Sequence, residues 1–484
     1  MSLEGSVAAN HFGLGAKPGE IERASDSPKE WLIAQIAPAD QPVSESGKPF
    51  ESGSALVTDL IAYRQQRRQE KKSDDPQAAK AFRQAQRQTI VEEMGARFDL
   101  GFTSDRPFAE RLVWFWSNHF TISTQNAGTG SLAGAYEREA IRPYIAGKFE
   151  DMLLAVATHP AMLIYLNNAQ SVGPDSLAGQ RAKRGLNENF GRELMELYSL
   201  GVDGGYTQAD VIALAKILTG WSIDTGGAQV DRARPRLARF LQDRRDVDAG
   251  VIDEGGVSSG FRYFQNRHEP GPTTLRGKTY PDGFSGGRAA IHDLAHDPAT
   301  AKFIATKFAV HFIADVPPPL SIAHLEKTFK DSGGDLKALA IAAVEDPAGW
   351  SQTPNKMRTP VEYVTASYRL LNLPQNQNGQ RQTQAAMQAC RLMGQFPMAA
   401  PSPKGWPDQS ADWSGPDAVL SRIAWARQLG ARVPQNFGAA QILKLADQAL
   451  GPRLSNPTRS AISGATDAGE GLALLLSSPE FQRR

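Results

Sequence analysis

Apolar residues recur at intervals of three and four along most of the chain, which is the spacing of amphipathic α-helices. The segment from residue 208 to residue 219 shows it clearly, with one apolar face formed by Val211, Ile212, Leu214, Ala215 and Leu218. Thr207 precedes this segment as a predicted N-cap, and Gly220 follows it as a predicted terminator. The pattern therefore predicts a protein made mainly of α-helices.

Two stretches depart from the helical pattern. Between about residues 222 and 287 glycine is frequent, and the aromatic, alternating segment FRYFQNRH is predicted to pair with TLRGKTY as one hairpin. The segment from Gly394 to Pro416 is rich in proline, which excludes a regular helix. Its Phe, Met and Trp residues predict that it packs down on the body of the protein.

No repeat of fixed period and no clean linker divides the chain. We therefore predict a mainly α fold, with one large multi-helical body and an irregular insert that carries at most a short hairpin. Residues 1–105 form a helical N-terminal cover in this prediction, and residues 106–350 form a helical core with the insert at about 222–287. Residues 351–484 form a C-terminal helical region packed on the core.

Charge and cysteine content exclude several classes of function. The chain has 53 Lys and Arg against 52 Asp and Glu, so a net charge of +1 gives it no global attraction to nucleic acid. Its single cysteine, Cys390, excludes cysteine-rich zinc sites and iron–sulfur clusters within one chain and is predicted to be a buried structural thiol. The sequence contains no run of about 18 apolar residues, so it predicts no membrane span. The N-terminus lacks the features of a signal peptide, which predicts a cytoplasmic location, or a periplasmic one if the true start lies upstream.

The segment LNENFGRELMELYSLGV, residues 186–202, gathers the most polar chemistry on one predicted helix. Asn187 is its predicted N-cap, and Glu188, Arg192 and Glu196 follow one another at i, i+4 spacing, with Asn189 and Glu193 beside them. Such a face can be an ordinary ion-paired surface. It can also be a site in which two carboxylates act as general acid and base or hold a cation.

Four further stretches place polar residues where a site could form. Asn118 and His119 end the aromatic helix WFWSNHF, and His159 before Pro160 either caps the preceding helix or belongs to a site. His268 and Glu269 stand in a loop after a predicted strand. His292 and His296 have the spacing of zinc ligands, but HDLAH lacks the Glu of the HExxH motif, so we interpret it as an ordinary amphipathic helix.

The motifs of this chain together resemble a bacterial family known as domain of unknown function 1800. The resemblance rests on WFWSNHF, HPAMLIYLNNAQS, LNENFGRELMELYSLGVDGGYT, ALAKILTGW, HEPG, DLAHDPATAKFIATKF and GQFP…GWPD, in the order of the family and over nearly the whole chain. Phe190 and Gly191 stand where Tyr and Ala are usual, Glu269 where Asp is frequent, and Asn167 where Asp is usual. The resemblance implies that one site includes Asn118, His119, Glu188, Asn189, Arg192, Glu193 and Glu196.

Two functions remain open at this point. The first is a hydrolase-like enzyme, with Glu188, Glu193, His119 and Arg192 as catalytic residues in a polar cleft onto which their helices and the His268 loop converge. A divalent metal could assist it, with Glu196, His268 and Glu269 as ligands, and Asn118, Asn189 and His159 would support the site. The second is a non-catalytic partner or maturation factor for an exported sulfatase-like or phosphatase-like protein, because the family is often encoded beside such proteins and many members look exported.

Overall fold

A computed structural model describes residues 1–44, 46–70, 76–126, 128–182, 185–224, 257–372, 379–433 and 437–484. Its first half is helical, and the α-helices are α1 (Leu3–Val7), α2 (Glu20–Ser25), α3 (Pro28–Ile33), α4 (Gly53–Glu70), α5 (Pro76–Thr103), α6 (Pro107–His119), α7 (Ala133–Tyr136), α8 (Phe149–Thr158), α9 (Pro160–Tyr165), α10 (Leu177–Ala182), α11 (Asn189–Glu193) and α12 (Gln208–Ile217). Four short strands follow, namely β1 (Trp221–Ile223), β2 (Phe261–Tyr263), β3 (Thr273–Leu275) and β4 (Lys278–Tyr280).

The remaining α-helices are α13 (Phe284–His296), α14 (Pro298–Phe312), α15 (Pro319–Asp331), α16 (Leu336–Glu345), α17 (Pro360–Leu371), α18 (Gly379–Leu392), α19 (Ser410–Trp413), α20 (Pro416–Gly430), α21 (Ala439–Leu450), α22 (Asn456–Ser463), α23 (Ala468–Ser477) and α24 (Pro479–Gln482). Short 3₁₀ turns cover Gly130–Leu132, Arg142–Tyr144, Asn168–Gln170, Gln265–Arg267, Pro347–Trp350 and Gly451–Arg453, and π-helical turns cover Ala8–Phe12, Glu137–Ile141 and Leu194–Tyr198. The mainly α prediction is therefore confirmed. Among the described helices, none has both the length and the apolar composition that crossing a lipid bilayer requires.

The predicted strand pairing was wrong. Strand β2, from the FRYFQNRH segment, pairs antiparallel with β1, which precedes the insert, and Trp221 lies opposite Tyr263. Strands β3 and β4 instead pair with each other. Their two-residue turn explains this, because Arg276 and Gly277 both adopt positive φ and so fold TLRGKTY back on itself. Most of the remaining insert lies outside the described residues.

The helix predicted from Asn187 to Leu200 is shorter and changes its winding. It begins at Asn189, and Asn187 is not its N-cap, although its side chain accepts a hydrogen bond from the Asn189 amide at 3.0 Å. After Glu193 the backbone continues as a π-helical turn. The predicted cap of α12 is confirmed, because Thr207 and Asp210 form a capping box.

The apolar faces of the helices pack into two large clusters. The larger cluster runs from Val7 to Val344 and contains Trp116, Phe120 and Phe149. The second consists mostly of residues after Pro360 and includes Cys390, which is buried as predicted. Helices α5 and α17 both contribute to this second cluster, so α5 links the N-terminal helices to the C-terminal region.

A chain of buried ion pairs crosses the larger body. Arg142 is fully buried and binds Glu110 at 2.9 Å and Glu137 at 3.0 Å, while Glu137 also accepts a hydrogen bond from Arg97 at 2.7 Å. Burial alone would raise the pKa of Glu137, but Arg97 and Arg142 outweigh it and lower this pKa to about 2. The carboxylate is therefore ionised at neutral pH and links α5, α6 and the turn that follows α7.

The proline-rich segment packs against the body, as its aromatic residues predicted. Its backbone is tied to α6 by the side chain of Asn118, which donates to the Trp406 carbonyl at 2.9 Å and accepts from the Trp406 amide at 2.8 Å. We predicted no regular helix in this segment, and this was wrong for one helical turn, α19. The turn forms because the sequence SADW between Pro407 and Pro416 is itself free of proline.

Candidate functional site

A cavity of about 450 Å³ lies between helices α6 and α14 and the proline-rich segment. This volume is in the range of pockets that hold a small organic molecule. Its apolar lining consists mainly of Trp114, Phe115, Leu197, Val202, Phe303, Val310, Val361, Pro397, Met398, Ala400, Trp406 and Pro407. Its charged and imidazole side chains are Arg97, Arg111, His119, Glu196, Lys307, His311, Glu362, Lys404 and Asp408.

Lys307 on α14 donates a hydrogen bond to His119 at the end of α6, with 2.9 Å between Nζ and Nδ1. The other ring nitrogen, Nε2, lies 3.1 Å from the Tyr198 carbonyl oxygen. Since a carbonyl can only accept, Nε2 carries the proton and Nδ1 offers its lone pair to the ammonium group. Burial and the charge of Lys307 both lower the pKa of His119, so the ring is neutral.

The ammonium group of Lys307 has no ion-pair partner among the described residues, although it lies 5.5 Å from the centre of the Phe303 ring. Burial lowers the pKa of Lys307 to about 8, with Asp408 opposing the shift and Lys404 adding to it. A lysine in such surroundings either binds an anion that supplies the missing charge or acts as an acid or base near neutral pH.

His311, one turn after Lys307, forms a second polar pair with Asp408 of the proline-rich segment. Nδ1 lies 2.9 Å from Oδ2 of Asp408. Burial would raise the pKa of Asp408, but His311 and Lys356 outweigh it and hold this pKa well below its ordinary value. Because the carboxylate is ionised, it can only accept, so Nδ1 carries the proton. Burial lowers the pKa of His311 to about 4, so the ring is neutral as well.

Some charged side chains of the cavity wall have an ion-pair partner and others have none among the described residues. Arg111 binds Glu362 at 2.5 Å, and Arg97 binds Glu137 at 2.7 Å. Lys307 and Lys404 form no ion pair among the described residues. Glu196 in the same lining also forms no ion pair among the described residues, so two unpaired lysines face one unpaired carboxylate. The excess positive charge beside a large apolar surface suits a ligand with an anionic group and an apolar body.

The wall formed by the proline-rich segment depends on a close approach to α6. Gly405 has φ of +83°, and a Cβ at this position would lie 2.4 Å from the Asn118 carbonyl oxygen. Only glycine fits both the positive φ and this contact. Asn118 thereby has a structural part in the site, because its amide group fixes the backbone that carries Lys404 and Asp408 to the cavity.

Of the residues selected from the sequence, three line this cavity together: Asn118, His119 and Glu196. Glu196 lies beside the hydroxyl of Tyr206, whose pKa is raised by burial and by this carboxylate. The remaining selected residues are not among those that line it. Their predicted catalytic and metal-binding roles stay predictions.

Glu188 and Arg192 form a half-exposed i, i+4 ion pair at 3.2 Å, and both bind the side chain of Gln208. Asn189 is the first residue of α11 and is half-buried. Glu193 is also half-buried, and burial followed by repulsion from Glu196 raises its pKa. At the start of this polar face, Glu188 is therefore paired with Arg192. Further along, Arg192 alone does not neutralise the charges of Glu193 and Glu196.

His268 and Glu269 lie in a different place, against the end of α12. The ring of His268 has Nδ1 2.8 Å from the Thr219 carbonyl, while Nε2 accepts from the Gly283 amide at 3.1 Å and lies 3.0 Å from Asp282. Glu269 binds Lys216 at 2.8 Å. Within the described residues these two and Glu196 do not form a cluster of three neighbouring ligand atoms.

His159 caps the helix that follows it, and not the one that precedes it. Its Nδ1 accepts from the Ala161 amide at 3.1 Å. The opposite nitrogen then carries the proton and donates to Glu139 at 3.1 Å. Both ring nitrogens are thus occupied by contacts that join α9 to the turn after α7.

Sequence reasoning did not select Lys307, His311 or Asp408, although two of its family motifs lie beside or contain them. Lys307 and His311 have i, i+4 spacing on α14, and Asp408 is the last residue of GWPD. The signal was present as polar residues on an otherwise apolar helix and at the end of a proline-rich loop. Only the fold shows that these two segments meet at one cavity.

A comparison with protein families gives one match, to the family described as a protein of unknown function (DUF1800), over residues 7–483. No curated protein matches the chain, and no solved structure does. The match covers both the helices that line the cavity and the proline-rich segment that closes it. The chain belongs to the DUF1800 family.

Proposed function

We propose that this protein binds a small, mainly apolar molecule with an anionic group in the cavity and hydrolyses it. The observation that carries the proposal is the ammonium group of Lys307, which lines an apolar cavity without an ion-pair partner among the described residues. A partly buried charge without a counter-ion is costly, and a bound anion would offset that cost. An apolar body would fill the surface formed by Trp114, Phe303 and Val310.

Hydrolysis requires one group that takes a proton from water and one that gives a proton to the leaving oxygen. The half-buried carboxylate of Glu196 is the base in this proposal. The attacking water loses its proton to Glu196 as its oxygen bonds to the carbonyl carbon or phosphorus of the substrate. Lys307 donates a proton to the oxygen of the breaking bond, and the two residues then exchange protons with solvent.

Neutral His119 supports this scheme by positioning Lys307. Its Nδ1 lone pair accepts one hydrogen bond from the ammonium group, and its Nε2 donates to the Tyr198 carbonyl, which fixes the orientation of the ring. The remaining N–H bonds of Lys307 are then available to a ligand. The lowered pKa of about 8 also makes Lys307 a better proton donor than an ordinary lysine.

The binding part of the proposal is tested with octanoate, an aliphatic carboxylate, by titration calorimetry. Lys307→Met should weaken octanoate binding at least tenfold, about 1.4 kcal/mol, because it removes the charge and keeps the apolar volume. Lys302→Met is the matched control, since Lys302 is exposed on the same helix. Equal affinities in the two variants would contradict the assignment of Lys307 as the anion site.

The catalytic part is tested with p-nitrophenyl phosphate and with p-nitrophenyl half-esters of dicarboxylic acids, which carry the anionic group that the proposal requires. Glu196→Gln should lower kcat by about 100-fold with a smaller change in KM, because a missing general base affects the reaction more than binding. Octanoate binding without turnover of any ester would remove the hydrolase assignment and leave a binding protein. A stable complex with a sulfatase-like or phosphatase-like protein encoded nearby, together with an inert cavity, would favour the partner role.

A further inference from the structure

A second group of ligand-type side chains lies on the surface where α8 packs against α13. Glu150 is in the first turn of α8, and His292 and His296 are one turn apart near the end of α13. One ligand atom of each residue can be chosen so that all three lie within 4.8 Å of one another. Among the described residues this is the cluster of three or more His, Cys, Asp or Glu that could hold a metal ion.

The contacts within this cluster hold the three groups side by side. Nδ1 of His292 lies 3.0 Å from Oε1 of Glu150. Nδ1 of His296 lies 3.9 Å from Oε2 of the same carboxylate and donates to the His292 carbonyl at 2.9 Å, so His296 would bind a metal through Nε2 or after giving up this bond. The two imidazole rings are 4.3 Å apart between their centres. All three side chains are partly exposed, so small rotations can bring their ligand atoms to one point without disturbing the core.

The sequence alone argued against a metal here, because HDLAH lacks the glutamate of HExxH. The structure supplies a carboxylate from another helix, about 140 residues earlier in the chain. Two imidazoles and one carboxylate are a ligand set that zinc and similar divalent transition metals bind, with a fourth position left to water. Hard cations such as Mg²⁺ prefer oxygen ligands and suit this set less well.

We propose that Glu150, His292 and His296 form a binding site for a divalent transition metal of the Zn²⁺ type. The metal would join the start of α8 to the end of α13. Asp293 lies next to His292, but Lys278 at 2.5 Å compensates its charge and Tyr280 donates to it at 2.6 Å, so Asp293 is not counted as a ligand. The proposal is independent of the cavity, because none of its three residues lines it.

The site is tested on the full chain with any affinity tag removed, by calorimetric titration with Zn²⁺ in competition with a chelator. The expected result is one Zn²⁺ per chain. His292→Gln and His296→Gln should each weaken binding by about 100-fold or more, which exceeds the loss seen when only a neighbour of a ligand is removed. His324→Gln is the matched control, because His324 is exposed on α15, and it should bind Zn²⁺ as the wild type does.

A second measurement separates this site from loose surface binding. Zn²⁺ that joins two helices of the folded protein, and binds the unfolded chain less well, should raise the melting temperature of the wild type and of His324→Gln. The same addition should leave the melting temperature of His296→Gln unchanged. Absence of saturable binding in the wild type, or equal binding in all variants, would overturn the proposal, and circular dichroism would verify that each variant is folded.

Discussion

Lys307 is a cationic residue of the cavity wall that has no ion-pair partner among the described residues. Its ammonium group is held by one neutral imidazole, and burial lowers its pKa from 10.5 to about 8. The folded protein therefore binds this proton more weakly than the unfolded chain does. Each unit of the shift corresponds to about 1.4 kcal/mol that protonated Lys307 takes from the stability of the fold at neutral pH.

Replacement of Lys307 should change how stability depends on pH. Between about pH 8 and pH 10.5 the unfolded wild type binds more protons at this position, so its stability gains from rising pH in this window. Lys307→Met lacks that gain and should exceed the wild type in unfolding free energy by most at pH 8 and below. Urea denaturation from pH 7 to pH 10.5 measures the difference, and a difference that is constant with pH would contradict the shift.

The side chains of the site also show what one sequence can reveal at this scale. Asn118 and His119 could be selected because their polar groups interrupt an apolar pattern, and Glu196 because it follows Glu188 and Arg192 at i, i+4 spacing. His159 and His268 interrupt such patterns equally well, yet their ring nitrogens are used by backbone and carboxylate partners. Apart from the Ala161 amide, those partners come from other segments of the chain, so periodicity cannot separate an occupied imidazole from an available one.

At the scale of elements, α12 and the β3–β4 hairpin are joined through one carboxylate. Asp210 completes the capping box of α12 by accepting from the Thr207 amide at 2.8 Å, and its other oxygen accepts from the Arg276 amide in the hairpin turn at 2.8 Å. The cap was predictable from local sequence. The hairpin partner was not, since the short strands carry little information about which of them pair.

Asp210→Ala should therefore cost more than the loss of an ordinary helix cap. Removal of the acidic half of the capping box costs up to about 1 kcal/mol, and loss of the hydrogen bond from the Arg276 amide should add to this, for a total of about 1–2 kcal/mol. Urea denaturation gives the value. Asp203→Ala, at an exposed position in the loop before α12, is the control, and a loss as small as in this control would show that the link is not stabilising.

At the scale of the whole molecule, the buried ion pairs connect helices that also pack through their apolar faces. Glu137 is shared by Arg97 and Arg142, and Arg97 also stacks 4.9 Å from the Trp114 ring in the cavity wall. The cavity thus rests on a network that extends from α5 through α6. The sequence indicated the helices. It did not indicate that the four charged residues of this network come together, because their contacts depend on the tertiary fold; they are Arg97, Glu110, Glu137 and Arg142.

Glu137→Gln should lower the unfolding free energy by about 3–5 kcal/mol, because it leaves two buried guanidinium groups with too little negative charge. Since the pKa of Glu137 is lowered from 4.5 to about 2, its contribution is complete above pH 4.5 and is lost as the pH falls towards 2. Glu326→Gln, which breaks a surface pair with Lys330, should cost at most about 1 kcal/mol. Denaturation curves of both variants at pH 7 and pH 3 test the size and the pH dependence.

The double hydrogen bond between Asn118 and Trp406 has a consequence for any molecule that enters the cavity. Helices α6 and α14 form one wall of the cavity. The proline-rich segment forms the opposite wall, and these two hydrogen bonds hold it against α6. Occupancy and the seating of that segment are therefore reciprocal, since whatever favours one must favour the other by the same free energy. Affinity at this cavity is therefore in part a property of how firmly this loop is held against α6.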